Sequence, residues 1–395
     1  MKKPVALIPD AIFTCVESPQ TDTAIVWDGE SMLDILPVNQ LGEDFPQYKI
    51  EGWLCPGFVN THCHLELSWT KDLINQKTGV NQFIVDLLNQ QKNQNPDLIQ
   101  QAISDALEYA VQSGVAFVAD IANGDDSLIG KKNEKRLGFH TFVELFGFNS
   151  ALANTKIKHG LELKQKFNSQ SLAASLTPHA PYSVSRELLK LISEEESGSL
   201  FSIHFRESLS EDEFFISQSG AIANRLKNMN IGFDGWNSMQ TPLNYLFSEL
   251  SPQNRYLWVH NTFITAQDFD LMAENKPNHW FCLCPRANEY IENVLPPINQ
   301  IARFTNQITI GTDSLASNYD LSIWNELKVI QKGFPTLLAP DLIYWATANG
   351  ADFFQNKSLG RLKKGYAGPI AHIEQAGQDL NKIQQNSHAS LLKLM

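Results

Sequence analysis

Residues 56–69 read PGFVNTHCHLELSW. A Pro-Gly turn leads into an apolar run that ends in His62-Cys63-His64 and passes at once into Leu65-Glu66-Leu67. Side chains alternate along a strand, so His62 and His64 share one face and Cys63 takes the other, with the imidazoles about 6–7 Å apart at Cα. Taken alone the pair has two readings: histidines satisfied inside a packed strand, or half of a metal site. The choice turns on whether other strands supply the remaining ligands.

The chain around this stretch changes character near residue 54. Before it stand short β-like runs at 5–8, 11–16, 23–27 and 32–36, with Asp28-Gly29 as a hairpin signal. After it, β-like runs at 57–62, 115–121, 141–146, 172–178, 200–204, 256–260, 279–284 and 307–312 alternate with helical stretches. The helical periodicity is clearest at 82–91, 97–112, 186–195, 210–219 and 265–274. Alternation of this kind predicts an α/β fold, a (β/α)8 TIM barrel over residues 54–358. Residues 1–53 and 359–395 are expected to form a small β-sandwich domain built from both chain ends, the tail beyond Gly360 returning to the N-terminal strands. The Gln/Asn-rich stretch 89–95 reads as a loop.

In a parallel barrel, chemistry gathers at the C-terminal ends of the strands. The fourth run ends in Thr177-Pro178-His179, the fifth in His204-Phe205-Arg206-Glu207, the sixth in His260-Asn261 and the eighth in Thr312-Asp313. Neutral imidazoles and a carboxylate suit Zn²⁺ or Fe²⁺, and four such ligands with room for a water suit a catalytic site. Glu207 follows His204 by three residues where the strand gives way to a loop. A buried carboxyl there has a raised pKa and can move protons between water and substrate; its other reading is a helix cap or surface acid. Glu66 divides evenly between substrate contact and loop structure. His279 and His140 open their strands and read as structural, while His159, His372 and His388 lie in polar stretches.

Composition narrows the class. The chain has 395 residues, 43% hydrophobic and 19% charged, enough to bury a large core. A net charge of −12 opposes nucleic-acid and anionic-membrane partners. The one basic cluster, Lys131 to Arg136, reads as a solvated loop. The opening apolar stretch breaks at Pro9-Asp10, too soon for a signal peptide, and no run approaches the ~18 apolar residues of a membrane helix. Five cysteines without framework spacing point to reduced thiols in a cytoplasm, and Cys282-Leu283-Cys284 lacks a partner pair for a zinc knuckle. A homo-oligomer is compatible with the sequence, which does not set the oligomeric state.

The lines PGFVNTHCHLELS, LTPHAPYSVS, SIHFRES, WVHN and GTDSLASN occur in that order, followed by ATANGADFF (346–354) and LGRLKKG (359–365). Together they resemble the amidohydrolase superfamily. The likeness is to its deaminase branch, which holds S-adenosylhomocysteine/methylthioadenosine, aminodeoxyfutalosine, guanine and cytosine deaminases and the triazine chlorohydrolases. HxHLELS and HFxES are most similar to the aminodeoxyfutalosine deaminases. The resemblance implies one divalent metal ion, Zn²⁺ with Fe²⁺ as the alternative, held by His62, His64, His204 and Asp313. It further implies Glu207 as proton shuttle, His260 and Asp313 as catalytic partners, and His179 as a substrate contact. No lysine stands where binuclear members carry a carbamylated bridge.

Two departures accompany it. The family's late GxxADLVV-type strand is replaced by GYAGPIAHI (365–373), and Arg206 stands where many members carry a small or apolar residue. Arg206 either turns away from the metal or reads a polar or anionic part of the substrate. The implied activity is hydrolytic deamination of an aminated N-heterocycle, an adenosine-type nucleoside, with ammonia released. The long segment 208–254, rich in Phe, Trp and Asn, suits a substrate of that size. The alternatives are an amidohydrolase acting on guanine, cytosine, a cyclic amide or a chlorinated ring, and a barrel without catalysis serving as a binding subunit.

Overall fold

The computed structural model describes residues 3–42, 45–92, 95–233, 236, 239–274 and 278–392. Parts of the stretches 1–53, 89–95, 208–254 and 359–395 therefore lie outside the described residues. The chain opens with β1 (Val5–Ile12), β2 (Thr23–Trp27), β3 (Met32–Pro37) and β4 (Gln47–Pro56). The expected runs 5–8 and 11–16 fuse into β1, with a register shift between Pro9 and Ala11 where proline offers no N–H to the ladder. Asp28 closes the β2–β3 hairpin by accepting the amides of Glu30 and Ser31 at 2.9 and 2.8 Å.

Eight parallel strands follow: β5 (Phe58–Cys63), β6 (Val115–Ala122), β7 (Gly138–Leu145), β8 (Ala174–Pro178), β9 (Leu200–Phe205), β10 (Arg255–His260), β11 (His279–Leu283) and β12 (Ile308–Ile310). Helices stand between them: α1 (Val80–Gln91), α2 (Pro96–Gln112), α3 (Asp126–Asn133), α4 (Ala153–Asn168), α5 (Arg186–Glu195), α6 (Ser210–Ser217), α7 (Gly220–Asn228), α8 (Pro242–Phe247), α9 (Ala266–Ala273), α10 (Pro285–Ile291) and α11 (Ile298–Phe304). α12 (Ile323–Gly333) follows β12, and the chain ends in β13 (Ile370–Glu374) and β14 (His388–Leu391). α2 shows why such segments are helical: Asn95 caps its first turn through the Asp97 amide, Pro96 occupies the first position, and Ile99, Ile103, Ala106, Leu107 and Ala110 make one buried stripe. α4 buries Ala153, Ile157, Gly160, Leu163 and Phe167 at helical spacing, but Gly160 and Ala153 add little apolar surface to the stripe, so its periodicity is weak in the sequence.

The strands form three sheets. Both chain ends enter one six-stranded sheet in the order β14-β13-β4-β1-β2-β3. Gly52 permits the pairing of β13 with β4, since a Cβ there would stand 2.1 Å from the Ile373 carbonyl oxygen. β5 to β8 form one four-stranded parallel sheet in chain order, and β9 to β12 form another. The two parallel sheets meet at both edges. At one, the amides of Thr312 and Asp313 donate to the His62 carbonyl at 3.0 and 3.1 Å; at the other, the His204 amide donates to the His179 carbonyl at 2.8 Å. Gly311 makes the first seam close, because a Cβ on it would stand 2.9 Å from both the carbonyl oxygen and the Cβ of His62. Among the described residues, no helix is long and apolar enough to cross a membrane, and all five cysteines are free thiols.

The basic cluster is not a solvated loop throughout. Lys131 lies on α3 and is buried, its Nζ 2.6 Å from Asp120 Oδ2 and 2.8 Å from Thr141 Oγ1. The periodicity of this helix is hidden because its inward residues are Ser127 and Lys131 rather than apolar ones. Asp120 also accepts the Leu65 amide at 2.9 Å, so the pair anchors the residue that follows His64. Removing one partner of a buried pair leaves the other charge uncompensated. Lys131→Met is therefore expected to lower stability by about 3–5 kcal/mol in urea unfolding; a change within about 0.5 kcal/mol, the usual range for surface substitutions, would show that the pair carries no such weight.

Candidate active site

Strand β5 carries His62 and His64 to one point, and their Nε2 atoms lie 3.2 Å apart. His204, on β9 of the other parallel sheet, brings its Nε2 to 3.4 Å from that of His64. Asp313, just past β12, places Oδ1 3.4 Å from His64 Nε2 and 3.8 Å from His62 Nε2. All four side chains are buried. A first-row divalent ion with bonds of about 2.0–2.2 Å separates tetrahedral ligand atoms by about 3.3–3.6 Å, so this donor set fits one such ion. Cys63 is buried on the opposite side of the strand and is paired through the backbone with Asp313.

The surrounding bonds fix which nitrogen each imidazole offers. His204 Nδ1 faces the His179 carbonyl at 3.1 Å and Glu144 Oε1 at 3.4 Å, so it carries the proton and Nε2 keeps its lone pair. His62 Nδ1 meets Ser202 Oγ at 3.2 Å. Burial first, and neighbouring imidazoles second, hold His62 and His204 well below the ordinary histidine pKa, which keeps them neutral. Ser317 Oγ donates to Asp313 Oδ2 at 2.5 Å, leaving Oδ1 to face the histidines.

Glu207 and His260 border this cluster, with Glu207 Oε1 3.6 Å from His260 Nε2. Asn288 Nδ2 donates to His260 Nδ1 at 3.3 Å, so Nε2 carries the proton and points toward Glu207. Burial, and then the nearby Asp313 carboxylate, push the Glu207 carboxyl well above its usual pKa. Burial lowers His260 to about 4. The chain reaches these positions through left-handed backbone: Arg206, His260, Asn261 and Asp313 have φ of 54°, 72°, 57° and 56°. Such conformations are costly for residues with a Cβ and concentrate at functional sites.

A cavity of about 320 Å³ opens from the cluster. Glu66, Glu144 and His179 stand on its wall together with Glu207 and Asp313. Glu66 is half-buried and accepts the amides of Asn123 and Gly124 at 3.0 and 3.3 Å, and burial beside Asp120 raises its pKa to about 8. His179 Nδ1 meets Ser183 Oγ at 2.7 Å, leaving Nε2 free. Arg206 is not on the cavity wall. Its buried guanidinium binds both oxygens of Asp268 at 2.9 Å and also Asp212, the turned-away alternative of the two open readings. His279 and His140 sit in structural bonds, to Trp258 Nε1 at 3.1 Å and Ser175 Oγ at 3.0 Å.

Several lining residues carried no motif. Glu144 stands next to last in the run TFVEL, and that acid close to a strand end was the available signal. Phe83, Ile84, Leu87 and Leu88 of α1 form an apolar wall, and Arg225 and Met229 close the side contributed by segment 208–254. The α1 wall had a helical pattern but nothing to show what it faced.

A family model described as the amidohydrolase family matches residues 53–387, nearly the whole chain. The chain belongs to the amidohydrolase family. Within this family it is 28% identical to an aminodeoxyfutalosine deaminase of a Nitratiruptor species, over 87% of this chain and 85% of that protein. Its fold matches a crystal structure of Helicobacter pylori aminofutalosine deaminase in complex with methylthio-coformycin, with a TM-score of 0.82 and 23% identity, covering 95% and 93% of the two chains. An adenosine deaminase from Xanthomonas campestris with bound zinc also shares the fold, with a TM-score of 0.73 and 18% identity over 96% and 87%.

Proposed function

We propose that this amidohydrolase deaminates an adenosine-type nucleoside hydrolytically, of the aminodeoxyfutalosine or S-adenosylhomocysteine/methylthioadenosine kind, and releases ammonia. The observation that carries the reading is the convergence of three Nε2 atoms and one Oδ1 beside a buried glutamic acid and a buried neutral histidine. His62, His64, His204 and Asp313 hold one divalent ion, and Zn²⁺ is the metal this set favours; the Xanthomonas adenosine deaminase that shares the fold has zinc bound. When bound, the ion supplies the Lewis acidity that lowers the pKa of a water toward about 7.

Glu207 takes the proton from the attacking water and delivers it to the ring nitrogen beside the amino-bearing carbon, making that carbon electrophilic. An adjacent cation draws this raised carboxyl back toward ionisation, the form needed to accept the proton. His260 Nε2–H donates to the attacking oxygen and Asp313 accepts from it, and together they hold it in line with the amino-bearing carbon, whose displaced electron pair goes to the protonated ring nitrogen. The remaining proton of the added hydroxyl then passes through Glu207, ionised again after serving the ring nitrogen, or through Asp313 to the amine, so that ammonia leaves as the C=O bond forms. His179 and Glu66 contact the substrate from the wall. Two further assignments support this reading. The two parallel sheets close into a (β/α)8 barrel over residues 54–358, and residues 1–53 and 359–395 make a separate β-sandwich domain. The partner is a small molecule, and the enzyme works in the cytoplasm.

The decisive experiment is ammonia release from a panel of adenosine, methylthioadenosine, S-adenosylhomocysteine, aminodeoxyfutalosine, guanine and cytosine. Turnover of at least one nucleoside is expected. Activity confined to a free base overturns the reading.

A further inference from the structure

The turn that follows β9 decides where Glu207 points. Strand alternation carried on from His204 would put residue 206 on the face of His204 and residue 207 on the opposite one. The chain does the reverse. Arg206 takes a φ of 54°, and this left-handed step sends its side chain away from the cavity and brings Glu207 onto the cavity wall, with Oε1 3.6 Å from His260 Nε2. Only Phe205 and Arg206 separate His204 from Glu207, so the conformation at Arg206 sets where the carboxyl stands against the metal ligands.

A left-handed conformation at a residue with a Cβ is costly and persists only where the surroundings impose it. Arg206 is held through its backbone and its side chain alike. Its amide and that of Glu207 donate to the two carboxylate oxygens of Glu211, at 3.2 and 2.8 Å. Its carbonyl accepts the Phe263 amide at 2.9 Å. Its guanidinium makes a two-bond fork on Asp268, both bonds 2.9 Å, and also meets Asp212. Asp268 is fixed in turn at the cap of α9, where Oδ2 accepts the amide and the hydroxyl of Thr265 at 2.9 and 2.8 Å. Arg206, Glu211 and Asp268 are all buried, yet none of the three is on the cavity wall. Burying such groups costs desolvation and brings no contact with substrate. What they secure is the turn.

We propose that Glu211 and the Arg206–Asp268 pair are positioning residues that hold Glu207 where it can move protons, Glu211 by gripping both amides of the turn and Asp268 by drawing the Arg206 side chain out of the site. This rests on the reading of Glu207 as proton shuttle in a nucleoside deaminase and deepens it.

Glu211→Gln keeps the size of the side chain, but its one carbonyl oxygen replaces two acceptors and its NH₂ group turns a donor toward the other amide. A misplacement of about 1 Å costs on the order of 10²-fold, so kcat for ammonia release is expected to fall about 10- to 100-fold, with KM within about threefold and metal content unchanged. Asp268→Asn, which removes the charge from the fork, is expected to show the same split between kcat and KM. A double-mutant cycle supplies a readout that a merely structural role would not move. In a Glu207→Gln background no shuttle is left to position, and Glu211→Gln is expected to lower kcat by less than about threefold further. A kcat within about threefold of the unaltered enzyme in both single variants, a loss carried by KM, or the full loss repeated in the Glu207→Gln background each overturn the proposal. If no nucleoside in the panel releases ammonia, the deaminase reading fails. Crystal structures of the unaltered and Glu211→Gln proteins then decide the positioning role alone: Glu207 withdrawn from His260 in the variant supports it, and an unmoved Glu207 overturns it.

Discussion

Stripping the divalent ion with a chelator is expected to lower ammonia release by about 10³-fold or more, since the nucleophile is no longer generated at neutral pH. Re-adding Zn²⁺ should restore it. The same treatment should lower the melting temperature, because an ion bound only by the native state stabilises that state by mass action. Elemental analysis of Asp313→Ala should show reduced metal content, as Oδ1 is one of the four converging donors. Full activity in protein shown to contain no metal would end the proposed mechanism.

The second large effect concerns Glu207. Glu207→Gln keeps the size of the side chain and its place beside His260 but cannot carry a proton. A fall of about 10²- to 10⁴-fold in kcat is expected, with KM changed little. Metal content should be unchanged, because Glu207 is not among the four converging ligands. That combination separates a proton shuttle from a residue that merely holds the site together. Retained turnover in this variant would move the proton transfer to another group.

Why some of this was legible in the sequence and some was not follows from what each residue does. His62, His64, His204, His260 and Asp313 were visible because polar side chains at the ends of apolar strands cost desolvation unless they have work there. Their order along the chain then matched a known pattern. Lys131 was misread because a local run of charge says nothing of direction, and only the fold turns one lysine inward toward Asp120. Arg206 stayed open because its orientation depends on a left-handed φ of 54°, which strand alternation does not anticipate. Arg225 carried no signal, since a solvated arginine and one facing a cavity look alike in a helix. The eight parallel strands were each located within a few residues, because apolar runs between helices are hard to mistake. β4 was missed because its first half, Gln47 to Glu51, is polar and largely exposed.

One consequence follows from where the proposed metal ligands sit. His62 and His64 belong to one parallel sheet, and His204 and Asp313 belong to or follow strands of the other. An ion held there as proposed would be a rivet between two separately hydrogen-bonded halves. During synthesis the first two ligands leave the ribosome long before the last, so a nascent chain can offer only an incomplete site. Under the proposed ligand set, tight loading would wait until the β12 segment has docked against β5, and metal occupancy would thereby report that folding has finished.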